Sequence, residues 1–346
     1  QLDTIEQVMV VEDPKTKQSQ EFKFTYKSEG AHIMAMCAAP DGTMCGGTAF
    51  PMRFFSYNPK TDEWVRHPAY NQWNTVVRQG DFFYAGGYGH GVLQQWDPTK
   101  PWVNTVEGKE CNPNIVGIAN PEINRPHDLL SHPDGKTVIL AGTPGYGLTG
   151  GGLLIWDREA RRPVVLKHTQ LIPDHAPMSL VALPDRKLLI GTTIAAGTGG
   201  QVKAKVAELA ILDLDSHQVE WHEPLLEKAA NYSDMYMGPN GLVFGFVDGN
   251  RFFVFDPKTR KIVMEKNIEA ELGRTSGSQQ ARIFIPAPDG KIYLLLNKGI
   301  ALLNPETFAI TMLAQSPVPI GPGGDWLDGR IYFGSGSHMY SWQVTK

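Results

Sequence analysis

HPDGKTVILAG, residues 132–142, is a tight polar turn running into an apolar strand that ends in glycine. Pro-Asp-Gly is a turn that closes a hairpin between two strands. The same phrase returns as APDGTMCGG from Ala39, LPDRKLLIG from Leu183, GPNGLVFGF from Gly238, APDGKIYLLL from Ala287 and WLDGRIYFGSG from Trp326. RQGDFFYAGG from Arg78 is a degenerate copy. A period of roughly 40 to 55 residues is that of a propeller blade.

A second phrase follows each first one, an alternating strand that ends in Asp or Asn and a polar turn. Examples are FFSYNPKTDEW from Phe54, LLIWDREARR from Leu153 and FFVFDPKTRKI from Phe252. Two phrases per repeat make four strands. The expected fold is therefore all-β: a seven-bladed β-propeller occupying residues 1–346 as a single domain. The segment GGDWLDGRIYFGSGSHMYSWQV near the end supplies inner strands, and VMVVEDPKTKQSQEFKFTY near the start supplies outer ones. The closing blade is thus expected to be shared by the N- and C-termini, with HMYSWQV and VMVVEDP competing for the same third strand.

Composition fits a globular chain: 346 residues, 42% hydrophobic, 20% charged, net charge -4. Disorder is excluded by the apolar content. Lys and Arg are scattered singly, without the cation cluster that nucleic-acid binding needs. No apolar run approaches the roughly 18 residues of a membrane helix, and no basic-then-apolar leader stands at the start, so the expected location is either the cytosol or, after removal of a leader, outside it. Cys37, Cys45 and Cys111 have no metal-ligand spacing. Cys37 and Cys45 lie on two arms of one hairpin, where a bridge or two buried thiols are both conceivable, the thiols being favoured.

In a propeller the loops entering the innermost strands, and those joining second to third strands, crowd one mouth of the central funnel. The first set offers His32, Asn74, His127, His175, Tyr232 and Arg282. The second offers Arg53, Tyr88, His90, Tyr146, Asp248, Lys298 and His338. This ring is rich in His, Tyr and Arg and poor in carboxylates. A glycosidase of the usual kind needs two facing carboxylates, and a lactonase needs hard oxygen ligands.

Histidine and tyrosine instead suit proton abstraction beside a carbonyl, with Arg or Lys offsetting the charge that develops. The expected catalytic residues are His127 or His90 as base and Tyr146 as acid or as a partner in the base role. His32, Arg53, Asn74, Tyr88, Tyr232, Arg282 and Lys298 are expected to bind substrate, with Trp73, Tyr88 and Tyr232 stacking on sugar rings. His32 with His90, or His127 with His175, are an alternative pair of metal ligands. His132 and His67 read as structural.

GGTAFPMRFFSYNP (46–59), GGYGHGVLQQWDP (86–98), RPHDLLSHPDG (125–135) and PGYGLTGGGLLIWD (144–157) together resemble seven-bladed polysaccharide lyases, of the ulvan lyase and rhamnose-glucuronate lyase type. That resemblance implies β-elimination at a uronate in the funnel, with His90, His127, Tyr146 and Arg53 at matching loop positions. It further implies a secreted or periplasmic monomer acting on a polysaccharide or oligosaccharide. No cofactor is required, although a structural divalent metal occurs in such families. The competing expectations are a non-catalytic propeller that binds glycan or protein, and a metal-dependent lactonase-type hydrolase.

Overall fold

Hairpins stack into sheets because each strand buries one face, or both, against its neighbours. The computed structural model describes residues 1–3, 7–26, 30–277 and 279–344. Its contacts divide the chain into two compact units, Gln1–Gly30 and Ala31–Lys346.

The first unit is a three-stranded antiparallel sheet of Leu2–Asp3, Val8–Glu12 and Ser19–Lys23. Its hairpin turns on Asp13, whose carboxylate accepts the Lys15 and Thr16 amides at 2.7 and 3.0 Å.

The second unit carries seven sheets in chain order, six of four strands and the last of three, all antiparallel. Their innermost strands are His32–Ala38, Gln72–Gln79, Arg125–Ser131, Ala176–Leu183, Tyr232–Met237, Phe284–Pro286 and Gly324–Leu327. Each packs against the next, and the seventh returns to the first, so the sheets close a ring. The last sheet consists of Gly324–Leu327, Arg330–Ser335 and His338–Gln343. Strand pairing thus corrects the expected shared blade: HMYSWQ is the third strand of the last sheet, and VMVVE is the middle strand of the N-terminal one.

Apolar faces meet between sheets. Ile139, Leu153 and Ile155 of the third sheet lie against Leu180, Leu188 and Ile190 of the fourth. Phe244, Phe246 and Phe252 of the fifth meet Ile283, Phe284 and Leu294 of the sixth. Each such side chain contributes about 1.5–3 kcal/mol on burial. Cys37 and Cys45 are cross-strand partners, both buried and both free thiols. Burial pushes Cys37 up to about 12, and Cys45 higher still.

Polar groups near the axis tie the ring together. Asp128 accepts the Leu129 amide and, from the fourth sheet, the Leu180 amide, both at 2.7 Å. Asp234 accepts Met235 at 2.9 Å and Ile283, from the approach to the sixth sheet, at 2.5 Å. Asp325 accepts Trp326 at 2.8 Å and Ala38, of the first sheet, at 3.0 Å. Third, fifth and seventh sheets thereby each hold the one that follows. Gln280 crosses from the sixth sheet to the second, where its carboxamide gives one bond to Val76 O and takes one from Val76 N, both 3.0 Å.

Candidate functional site

The innermost strand of the third sheet begins Arg125-Pro126-His127-Asp128. Its register to Thr137–Thr143 slips between Pro126 and Asp128, so His127 is the extra residue of a bulge. Bulges re-aim side chains. His127 Nε2 lies 3.1 Å from Thr143 Oγ1. Burial, aided by the Arg125 charge, pushes the imidazole down to about 4.

Tyr88 ends the strand Phe82–Tyr88 of the second sheet. Tyr146 stands in the loop that follows Thr137–Thr143 in the third. Their hydroxyl groups are hydrogen-bonded to one another, and the Arg125 guanidinium lies over the Tyr88 ring, 5.1 Å from its centroid. The Tyr146 hydrogen bond, helped by Arg125, holds the Tyr88 phenol below its ordinary value. The same bond, with the charge it favours on Tyr88, raises Tyr146.

The Tyr146 loop is pinned by backbone. Gly145 N–H donates to Pro121 O at 2.9 Å, Gly147 N–H to Thr198 O at 2.9 Å, and Gly197 N–H to Leu148 O at 3.0 Å. Gly147 sits at φ 75°, which a side chain would strain. The glycine-rich stretch is therefore a bonded lip between the third and fourth sheets. His90 is exposed in the neighbouring turn at φ 74°, and its amide donates to Asn124 Oδ1 at 3.1 Å.

The structure brings Tyr88, Tyr146 and His127 together around Arg125, a residue the sequence reading passed over although it opens the RPHD motif. Its signal was the charge two positions before His127. Other expected binders lie elsewhere. His32 is exposed at the start of the first sheet, Arg53 is half-buried at the start of that sheet's third strand, and Lys298 is exposed in the turn between Ile292–Leu296 and Gly299–Leu303.

Burial corrects three expectations, and axial bonding a fourth. Tyr232 is fully buried edge-on to Phe253, at 5.5 Å between centroids, and its phenol is pushed up by that burial. Asn74 is fully buried and accepts from Gln72 Nε2 at 2.7 Å. Trp73 is buried and donates its Nε1–H to Gln94 at 2.9 Å. Arg282 donates to Val76 O at 3.1 Å and faces Asp325 at 3.7 Å, so its charge is spent on the axis.

Both ring nitrogens of His175 lie against backbone carbonyls, Pro173 O at 2.8 Å and Val206 O at 2.9 Å, which makes it a packing residue and not a ligand. His132 is buried and takes the Asp134 amide at 3.2 Å. Among the described residues no group of three or more His, Cys, Asp or Glu side chains could hold a metal ion.

No protein-family profile matches this chain, and no curated protein sequence does so either. Solved structures do. A chain of hydrazine synthase from Kuenenia stuttgartiensis is similar at TM-score 0.64 and 12% identity, covering 93% of this chain and 98% of its own. The β-propeller domain of Cps50 (Swd1) from Myceliophteria thermophila is similar at TM-score 0.64 and 11% identity, covering 93% of this chain and 99% of its own. At such identities the likeness speaks for the fold alone: the chain is a β-propeller.

Proposed function

We propose that the mouth between the second and third sheets binds a uronate-containing glycan and cleaves it by β-elimination. The observation that carries this reading is the Tyr88–Tyr146 phenol pair beside Arg125. In its phenolate form, which its two neighbours favour, Tyr88 takes the proton from C5 of the uronate. Arg125 offsets the negative charge that builds on the carboxylate as that C–H bond breaks. The electron pair forms the C4–C5 double bond and expels the glycosidic oxygen, which Tyr146 protonates. His127 is too weakly basic to compete for the C5 proton, and through Thr143 it positions the loop that carries Tyr146.

Acting on a polysaccharide would place the reaction outside the cytoplasm. The test is the ultraviolet absorbance of the unsaturated product during incubation with a panel of uronate-containing polysaccharides. A rise that is lost in Tyr88→Phe and in Tyr146→Phe supports the reading; no rise on any of them overturns it and turns attention to non-catalytic glycan binding.

A further inference from the structure

The strands that run to Tyr88 and toward Tyr146 begin at a cavity. Phe82 opens Phe82–Tyr88, and Lys136 stands just before Thr137–Thr143. At about 3.3 Å per residue, Phe82 lies about 20 Å from Tyr88 along the strand, with the apolar cluster of Tyr84, Leu140 and Leu154 between the two ends. The cavity, about 580 Å³ between the second and third sheets, falls within the ~300–1,000 Å³ of small-molecule sites.

Its charges do not cancel. Lys136, Arg158 and Arg161 line it against a single carboxylate, Glu159, which meets Lys136 at 3.2 Å. Arg158 donates to neutral acceptors, Gly135 O at 3.1 Å and Gln79 Oε1 at 3.4 Å, and its guanidinium lies over the Phe82 ring, 4.9 Å from the centroid. Arg161 is exposed at φ 51°. Among the described residues neither guanidinium has a carboxylate partner. The adjacent Asp157 accepts the Glu159 and Ala160 amides instead, at 2.8 and 2.9 Å. Two guanidiniums on the cavity wall are thus uncompensated, and each presents a fork that matches the oxygens of a phosphate. Ile115 and the Trp156 ring supply apolar wall beside them.

We propose that this cavity binds a phosphate monoester with an apolar organic part, at a site separate from the Tyr88–Tyr146 pair. Near neutral pH a phosphate monoester carries about −1.5 to −2 charges, which matches two uncompensated guanidiniums; a sulfate ester or a carboxylate carries only one. The phosphate oxygens accept the guanidinium N–H groups, and the organic part lies on Ile115 and Trp156. Nothing in this site depends on elimination at the mouth.

The probes are phenyl phosphate, phenyl sulfate and inorganic phosphate, titrated calorimetrically into the full chain near neutral pH. Phenyl phosphate should bind. The sulfate should bind more weakly for want of the second charge, and inorganic phosphate for want of the ring. Arg161→Gln, at an exposed side chain, should weaken phenyl phosphate about 10- to 100-fold, the loss of one contact to a charged group, with the thermal midpoint unchanged. Arg158→Gln should weaken it by a similar factor. Glu159→Gln releases Lys136 and should tighten binding. No binding of phenyl phosphate to wild type, or equal affinity in both arginine variants, overturns the site. Phenyl sulfate binding as tightly as phenyl phosphate overturns the two-charge match.

Discussion

His127 and Asp128 are sequence neighbours with opposite fates. The Asp128 carboxylate spends both oxygens on backbone amides, one of them from the fourth sheet, and Asp234 and Asp325 repeat the arrangement around the axis. Across the bulge, His127 lies with Arg125, Tyr88 and Tyr146, which meet one another and Thr143 through side chains: a hydroxyl, a phenol, a ring face. A backbone amide cannot leave without disturbing a sheet. A phenol or a guanidinium can exchange its neighbour for a substrate at little cost, so the axis serves the fold and the mouth is free for chemistry.

The sharpest way to break that contrast is at the mouth. Tyr88→Phe keeps the ring beneath Arg125 and removes only the ionisable oxygen, so the elimination rate should fall about 10²–10⁴-fold, as for loss of a general base. The thermal midpoint should stay where it is, and a variant that instead melted early would assign Tyr88 to the fold.

The reverse result is expected on the axis. Asp234→Ala orphans the Ile283 amide, and with a buried carboxylate lost the cost should be about 3 kcal/mol in denaturant unfolding. A loss below about 1 kcal/mol would mean that the axial carboxylates do not hold the sheets.

Acidity sharpens both sides. Tyr88 should ionise below the ordinary tyrosine value of about 10. Its midpoint in an ultraviolet difference titration should move upward in Tyr146→Phe, because the first cause of its depression is gone. An unmoved midpoint would separate the two phenols.

On the axis, burial first and then the Asp234 charge raise Asp128 to about 7, while burial raises Asp234 to about 6. A raised carboxyl favours the protonated folded state, so its contribution to stability is present at low pH and is lost as pH climbs from about 4, the unfolded value, through 7. Asp128→Asn does not titrate. Its deficit relative to wild type should therefore be largest near pH 4 and shrink toward pH 8; a deficit that grows with pH would show the carboxylate to be stabilised by its amides more than it is penalised by burial. The smallest effect belongs to His90→Ala, at an exposed turn, where the rate should change by less than about two-fold.

Much of this was legible in the chain. The Pro-Asp-Gly turns and the strands on either side of them are local, joined by a few residues, and all seven copies open a hairpin where expected. Tyr88 ends a strand and His90 and Tyr146 lie in loops between strands, as the repeat phrases imply. Tyr232, Asn74 and Arg282 were misjudged. They sit at strand starts, as read, but a half-turn at a bulge or a neighbour from the next sheet decides whether a side chain meets the funnel or the core, and register slips occur in five of the seven first hairpins.

Arg125 went unread because its meaning is a ring from another sheet placed beneath it. The chain's own patterning was enough for strands and turns, since these depend on near neighbours. Ring closure, the axial locks, the Tyr88–Tyr146 contact and the cationic cavity came only with tertiary structure. Each joins residues that are distant in sequence, and their meeting is decided by how one twisted sheet lies against the next.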